Sequence, residues 1–220
     1  MNDTTELSAQ AAERLVRGPQ GRRAVISRDE LIAAAMSLLG PTRSVSTLSL
    51  REVARAAGIA PNSFYRHFRD IDDLAIALIE LAGSSLRRIF SEARQRASAE
   101  RSVVRTSLEA FMEQLNAEAG YLDLLLREGK VGSEAFKQAV EKQLVFFEAE
   151  LMTDLLRLEA LNGHKLYRAD LVAQAITRLV FVMGASAASQ SPAAQNETLE
   201  QTALMLKMIL TGSRSLAMTP

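Results

Sequence analysis

The chain has 220 residues, 48% of them hydrophobic, enough to bury one large core or a small domain beside a larger one. It contains no cysteine, which excludes thiol nucleophiles, disulfides and zinc fingers and is compatible with a reducing cytoplasm. Its formal net charge of zero conceals a division. Residues 1–69 hold 10 Lys+Arg against 6 Asp+Glu while residues 70–220 hold 16 against 20, so attraction for phosphate is concentrated at one end.

The opening MNDTTELSAQ lacks a basic start followed by an apolar run, so no secretory signal is expected. Residues 1–26 show no sustained apolar period and place Gly18, Pro19 and Gly21 among Arg17, Arg22 and Arg23. They read as a flexible basic arm, with Arg22 and Arg23 reaching phosphate or the adjacent minor groove, or as a plain tail. Ser27 can cap a first helix through about Leu39, in which Leu31, Ile32, Ala35, Leu38 and Leu39 fall at helical spacing.

The stretch LSLREVARAAGIAPNSFYRHF, residues 48–68, predicts a helix-turn-helix. Ser49 stands three positions before Glu52, a reciprocal capping box for a helix through Ala57 with Val53 and Ala54 turned inward. Gly58 follows where a helix end commonly needs a left-handed residue, and Pro61 suits the first turn of the next helix because its missing N–H would be unpaired there. Phe64 and Phe68, four apart, anchor that second helix and leave its polar side chains facing out. A polar helix on a small helical base is the shape that enters the major groove. Asn62 and Ser63 are placed as base readers, and Ser49, Arg51, Tyr65 and His67 as phosphate holders; Arg66 suits either role.

Asp70 and Asp73 cap a fourth helix whose Ile71, Leu74, Leu78 and Leu81 carry it to about Phe90 as the link between head and body. From about residue 83 the apolar period stays near 3.6, with no alternating strand pattern; helices are expected over 101–116, 120–128, 133–160, 168–189 and 196–213, broken at Gly163 and at Ser191–Pro192. The fold class is therefore all-α: a three-helix helix-turn-helix domain over 27–75 and a helical bundle over 76–220. The longest uncharged stretch, Leu179 to Asn196, is interrupted by Gly184 and Pro192, so a membrane span is not expected and the chain is placed in the cytoplasm.

Two features of the bundle bear on partners. The small run Gly184 to Ala188 and the stripe Leu199, Ala203, Leu206, Leu210 suit either a four-helix interface with a second copy or packing within the chain. The apolar residues Leu86, Ile89, Phe90, Leu108, Phe111, Met112, Leu115, Phe136, Val140, Phe147 and Leu151 form core or line a cavity; a cavity so poor in polar groups suits a long acyl chain. Arg127 and Lys130, with Arg94 and Arg96, would then hold the phosphates of a headgroup at its mouth, or simply face solvent.

Catalysis is not expected. The two histidines, His67 and His164, lie apart, no glycine-rich phosphate loop or HExxH helix occurs, and neither a metal nor a cofactor is called for. A non-specific architectural DNA binder would share the basic end but would not require a large apolar body.

The aromatic, Tyr, variable, His, Phe run supplied by Phe64 to Phe68 closes a segment, Ser27 to Asp73, that resembles the DNA-binding domain of the tetracycline-repressor (TetR) family. SLREVARAAGIAPNSFYRHFRDIDDL, then RQRASAERSVVRTS and LLLREGKVGSEAF, resemble the FabR/DesT-type regulators of unsaturated fatty acid synthesis within it. The resemblance implies a homodimer formed through the last two helices, a repressor bound to a pseudo-palindromic operator, and long-chain acyl-CoA or acyl-carrier-protein-linked chains as effector. Saturated and unsaturated chains would be told apart by shape. Another hydrophobic small molecule, such as a drug, is the alternative effector.

Overall fold

The computed structural model describes residues 26–39, 43–96, 100–117 and 120–218. The expected arm with Arg22 and Arg23 lies outside the described residues. The elements in chain order are α1 (Arg28–Leu38), a 3-10 turn (Val45–Thr47), α2 (Leu50–Ala56), α3 (Pro61–Phe64), α4 (Ile71–Arg96), α5 (Glu100–Leu115), α6 (Tyr121–Val131), α7 (Glu134–Asn162), α8 (Ala169–Ala187) and α9 (Pro192–Ala217). The fold is all-helical, with no strand among the described residues.

The helix ends follow from side chains that satisfy otherwise orphaned N–H groups. Ser27 with Glu30 and Ser49 with Glu52 form full capping boxes, and Asp70 accepts the Asp73 N–H at 2.7 Å at the head of α4. Ser133 and Ser191 cap α7 and α9, and Gly163 ends α7 in the left-handed region. α9 starts at Pro192 rather than at 196, because proline is tolerated in a first helical turn once Ser191 supplies the cap. No breaker interrupts α4 at Phe90, and it runs on to Arg96.

α4 spans about 39 Å at 1.5 Å per residue and joins the two ends of the molecule. One apolar cluster follows it, from Leu31, Val53, Phe64 and Phe68 in the head, through Leu74, Leu78 and Leu86, to Phe90, Phe111 and Phe147 in the body. A second cluster, with Leu155, Val172, Ile176, Leu206 and Leu210, closes the far side.

Gly184 faces its own chain: a Cβ there would stand 2.4 Å from the Phe111 ring, so its small size admits that ring rather than a second subunit. Of the two readings of the stripe Leu199, Ala203, Leu206, Leu210, packing within the chain is the one observed. Leu206 and Leu210 are buried in the chain's own second cluster, with Leu199 and Ala203 packed against it. The outward faces of α8 and α9 instead expose Val182, Leu204, Met205, Met208 and Leu216. α8 has the length and mean hydropathy, 1.3, to cross a membrane. At its centre, however, Arg178 pairs with Glu141 at 2.5 Å and Glu148 at 2.7 Å of α7, a helix-to-helix contact of the bundle.

Candidate nucleic-acid interface and effector cavity

The head presents a short polar rim. Phe64 and Phe68 are 0% and 2% exposed with ring centroids 5.7 Å apart, and Arg28 lies over the Phe68 ring at 4.8 Å. Only Pro61–Phe64 is regular α-helix. Turns then carry the chain on, with the His67 and Phe68 N–H groups donating to the Phe64 carbonyl at 3.0 and 3.2 Å. Around these anchors Asn62, Tyr65 and Arg66 are exposed, Tyr65 being 59% exposed, and Ser63 is half-buried. Gly58, at φ +67 with open space around it, makes the reversal between α2 and α3. Arg51, Arg55 and Arg69 are exposed beside the rim.

Two expected phosphate holders are placed differently. The Ser49 hydroxyl donates to Glu52 Oε2 at 2.8 Å and accepts the Glu52 N–H, so its proton is already engaged in capping α2. The Ser49 hydroxyl, with Arg43 at 3.0 Å and the Ser49 N–H at 3.2 Å, holds the Glu52 carboxyl below its ordinary range. His67 is half-buried, and its Nε2 is buried with no hydrogen-bond partner, which leaves Nδ1 for any outward contact.

Inside the body a cavity of about 80 Å³ lies where α4, α5, α7, α8 and α9 meet. Phe90, Arg94, Leu108, Phe111, Phe147 and Leu151 line it as expected, together with Ser107, a polar residue passed over in an apolar stripe, and Ile176, Thr177, Val180, Phe181 and Leu206, which sequence reasoning missed because it stopped at residue 151. Phe90 and Phe111 stack at 5.9 Å, and Phe147 and Phe181 approach at 5.3 Å. Met112 borders only a void of about 10 Å³. Leu86, Phe136 and Val140 are core, and Ile89 and Leu115 pack against that core, without lining either space.

Of the four cationic residues expected at a cavity mouth, Arg94 lines the cavity and the other three are corrected. Arg94 is 8% exposed and tied to Asp154 at 2.5 Å, because a guanidinium this deep requires a carboxylate. Arg127 points away from the cavity, donating to Asp123 and to the Arg43 carbonyl near the head. Burial pulls its pKa down, partly offset by the charge of Glu128. Lys130 and Arg96 are exposed. Glu128 itself escaped notice, though a carboxylate four residues after Leu124 and three after Leu125, on an apolar face, is a legible signal. It is fully buried, and its Oε1 accepts the Val45 N–H at 3.0 Å while its Oε2 accepts the Ser44 hydroxyl at 3.1 Å. Among the described residues no cluster of histidine or carboxylate groups is placed to hold a metal ion.

Residues 31–78 match the family model of the bacterial regulatory proteins of the tetR family. Similar solved structures include a transcriptional regulator from Rhodococcus sp. Rha1, 18% identical, covering 89% of this chain and 100% of that one at a TM-score of 0.67. A tetR-family transcriptional regulator from Streptomyces coelicolor is 21% identical, covering 86% and 82% at 0.65. The fatty acid degradation regulator FadR from Bacillus halodurans is 15% identical, covering 84% and 95% at 0.64. At these identities the likeness is one of fold, and it extends through the body as well as the head. The matched family is one of regulators, not of enzymes.

Proposed function

We propose that this chain, which carries a tetR-family regulatory domain, is a cytoplasmic, dimeric transcriptional repressor that senses hydrophobic acyl chains. The head, 27–75, reads a pseudo-palindromic operator, aided by the arm 1–26, and the body, 76–220, binds effector and pairs the subunits. The observation that carries this reading is the rim of α3: two buried phenylalanines hold Asn62, Tyr65 and Arg66 outward on a short exposed turn, the arrangement by which a recognition helix reaches a major groove. Asn62 and Ser63 are assigned to base edges. Tyr65, Arg66, Arg51, the Nδ1 edge of His67 and the arm residues Arg22 and Arg23 are assigned to phosphate or the adjacent groove. Two copies joined through Val182, Leu204, Met205, Met208 and Leu216 would present two such rims to half-sites about one helical turn, roughly 34 Å, apart.

The phenylalanine-lined cavity is the effector site in this reading. Its volume of about 80 Å³ is below the roughly 300–1,000 Å³ of working ligand pockets, so entry of a chain must displace aromatic rings. A straight saturated chain and a bent unsaturated one then select different packings, and only that difference in affinity can shift DNA binding. A groove of about 410 Å³ between α5 and α9 shares Leu108 with the cavity and carries Arg105, Lys207 and Arg214. It replaces Arg127, Arg96 and Lys130 as the place for an anionic headgroup; Arg94 lines the cavity itself with its charge met by Asp154, and in the groove Glu200 pairs with Arg105 at 3.3 Å. That the similar Bacillus halodurans structure is of a fatty acid degradation regulator supports this effector class. The ring cluster of Phe90, Phe111, Phe147 and Phe181 favours, as a second reading, a planar apolar effector such as a drug.

The test is native mass spectrometry for subunit number and retained acyl molecules. It is followed by titration of a duplex selected from a random library in the presence of palmitoyl-CoA or oleoyl-CoA. The expected result is a dimer whose duplex affinity moves in opposite directions with the two; equal affinity with both removes the acyl-sensing part.

A further inference from the structure

We propose that Glu128 and Arg127 of α6 are positioning residues for DNA recognition, clasping residues 43–45 so that the setting of α6 in the body fixes the start of α2 in the head. Two successive residues of one helix hold three successive residues of the segment before the helix-turn-helix. Glu128 takes the Val45 N–H and the Ser44 hydroxyl, and Arg127 takes the Arg43 carbonyl. A buried carboxylate is expensive without such partners, and the face it shares with Leu122, Leu124 and Leu125 would otherwise be filled by another leucine.

The clasp continues outward. The Arg43 guanidinium donates to the Thr47 carbonyl at 2.9 Å and to Glu52 Oε2 at 3.0 Å, and Glu52 closes the capping box on Ser49. A run of hydrogen bonds thus leads from α6 to the first turn of α2. Along the same buried side, α6 sets Leu122, Leu124 and Leu125 in the apolar cluster that contains Phe111 and Phe147, so ring displacement in the cavity presses on the helix that holds the clasp. With α2 and α3 taken as the DNA-contacting pair proposed above, loosening the clasp lets the head wander. The fraction of molecules with both rims correctly set then falls, and apparent affinity falls in proportion.

The test compares the full-length wild type with Glu128→Leu, Glu128→Gln and Ser44→Ala, read by amide hydrogen exchange and by affinity for the duplex selected by wild type. In Glu128→Leu, exchange over residues 44–57 should quicken while α7 to α9 stay as in wild type, and duplex affinity should drop about tenfold or more. Glu128→Gln should stay within about threefold of wild type, because its amide still accepts from Val45 and can donate to Ser44. Wild-type exchange and affinity in Glu128→Leu would overturn the proposal, as would a loss in Glu128→Gln equal to that in Glu128→Leu. Should the leucine variant not fold, Ser44→Ala decides: faster exchange at Val45 supports the clasp, and unchanged exchange overturns it. Palmitoyl-CoA and oleoyl-CoA form a separate arm, in which a response present in wild type should vanish in Glu128→Leu with acyl-CoA binding retained. Indifference of wild type to both ligands counts against the acyl reading alone, since exchange still judges the clasp.

Discussion

Replacing Phe111 by alanine perturbs the proposed effector cavity most directly. The ring is 4% exposed, stacks on Phe90 at 5.9 Å, meets Phe181 edge-on at 5.9 Å, and fills the space left by Gly184. Removing it leaves a hole of roughly 100 Å³; at about 24 cal/mol per Å³ the void alone costs ~2.4 kcal/mol, and lost transfer energy brings the total to about 3–5 kcal/mol. For a chain of this length that lowers Tm by roughly 10 °C, measured at one protein concentration because the proposed dimerisation would link stability to concentration. The hole adjoins both the cavity of about 80 Å³ and the smaller void behind Met112, so the variant should also favour bulkier acyl chains in a calorimetric series of acyl-CoA lengths. Gly184→Ala is the reciprocal change: its Cβ drives the same ring aside, at about 1–3 kcal/mol, and the double variant should cost less than the two singles together. A Tm within about 3 °C of wild type for Phe111→Ala, with unchanged chain preference, would refute the reasoning.

Asn62→Ala and Ser63→Ala should change which bases are preferred in a selected duplex by about 1–3 kcal/mol at the affected position, whereas Arg66→Ala or Tyr65→Ala should weaken all sequences alike; binding titrations over a salt series separate the two, with Arg66→Ala reducing the slope by about 1. Met208→Glu, on the outer face of α9, should yield a folded monomer in sedimentation; a dimer that persists moves the interface elsewhere. The Asp170 carboxyl, held by Arg168 at 2.7 Å, is pulled from 3.8 down to about 2, so its contribution to stability is present above about pH 4 and lost as pH falls towards 2. Carboxyl NMR should find that low midpoint in wild type and a return towards 3.8 in Arg168→Gln.

The helices, their caps and the head could be read along the chain because they rest on local chemistry. Ser49 and Glu52, Asp70 and Asp73, Gly58 and the pair Phe64 and Phe68 act within a few residues of one another, so their spacing carries the information. The same residues hid a conflict, since Ser49 cannot offer one hydroxyl proton to Glu52 and to phosphate together, and only geometry shows which partner holds it.

Apolar periodicity marks which side of a helix is buried but not what it meets. Phe90, Leu108, Phe111, Phe147 and Leu151 reach the cavity while Leu86, Phe136 and Val140 do not, and the stripe from Leu199 to Leu210 serves its own bundle. Charged groups are the extreme case. Arg94 found Asp154, 60 positions away, and Glu128 found Ser44 and Val45, 84 and 83 positions away. Sequence alone determined an all-helical chain with a helix-turn-helix at its basic end, because capping, turn conformation and helical period are short-range. Tertiary structure decided the cavity, the outward face of the last two helices and the clasp between body and head, because these depend on which distant surfaces the folded chain brings into contact.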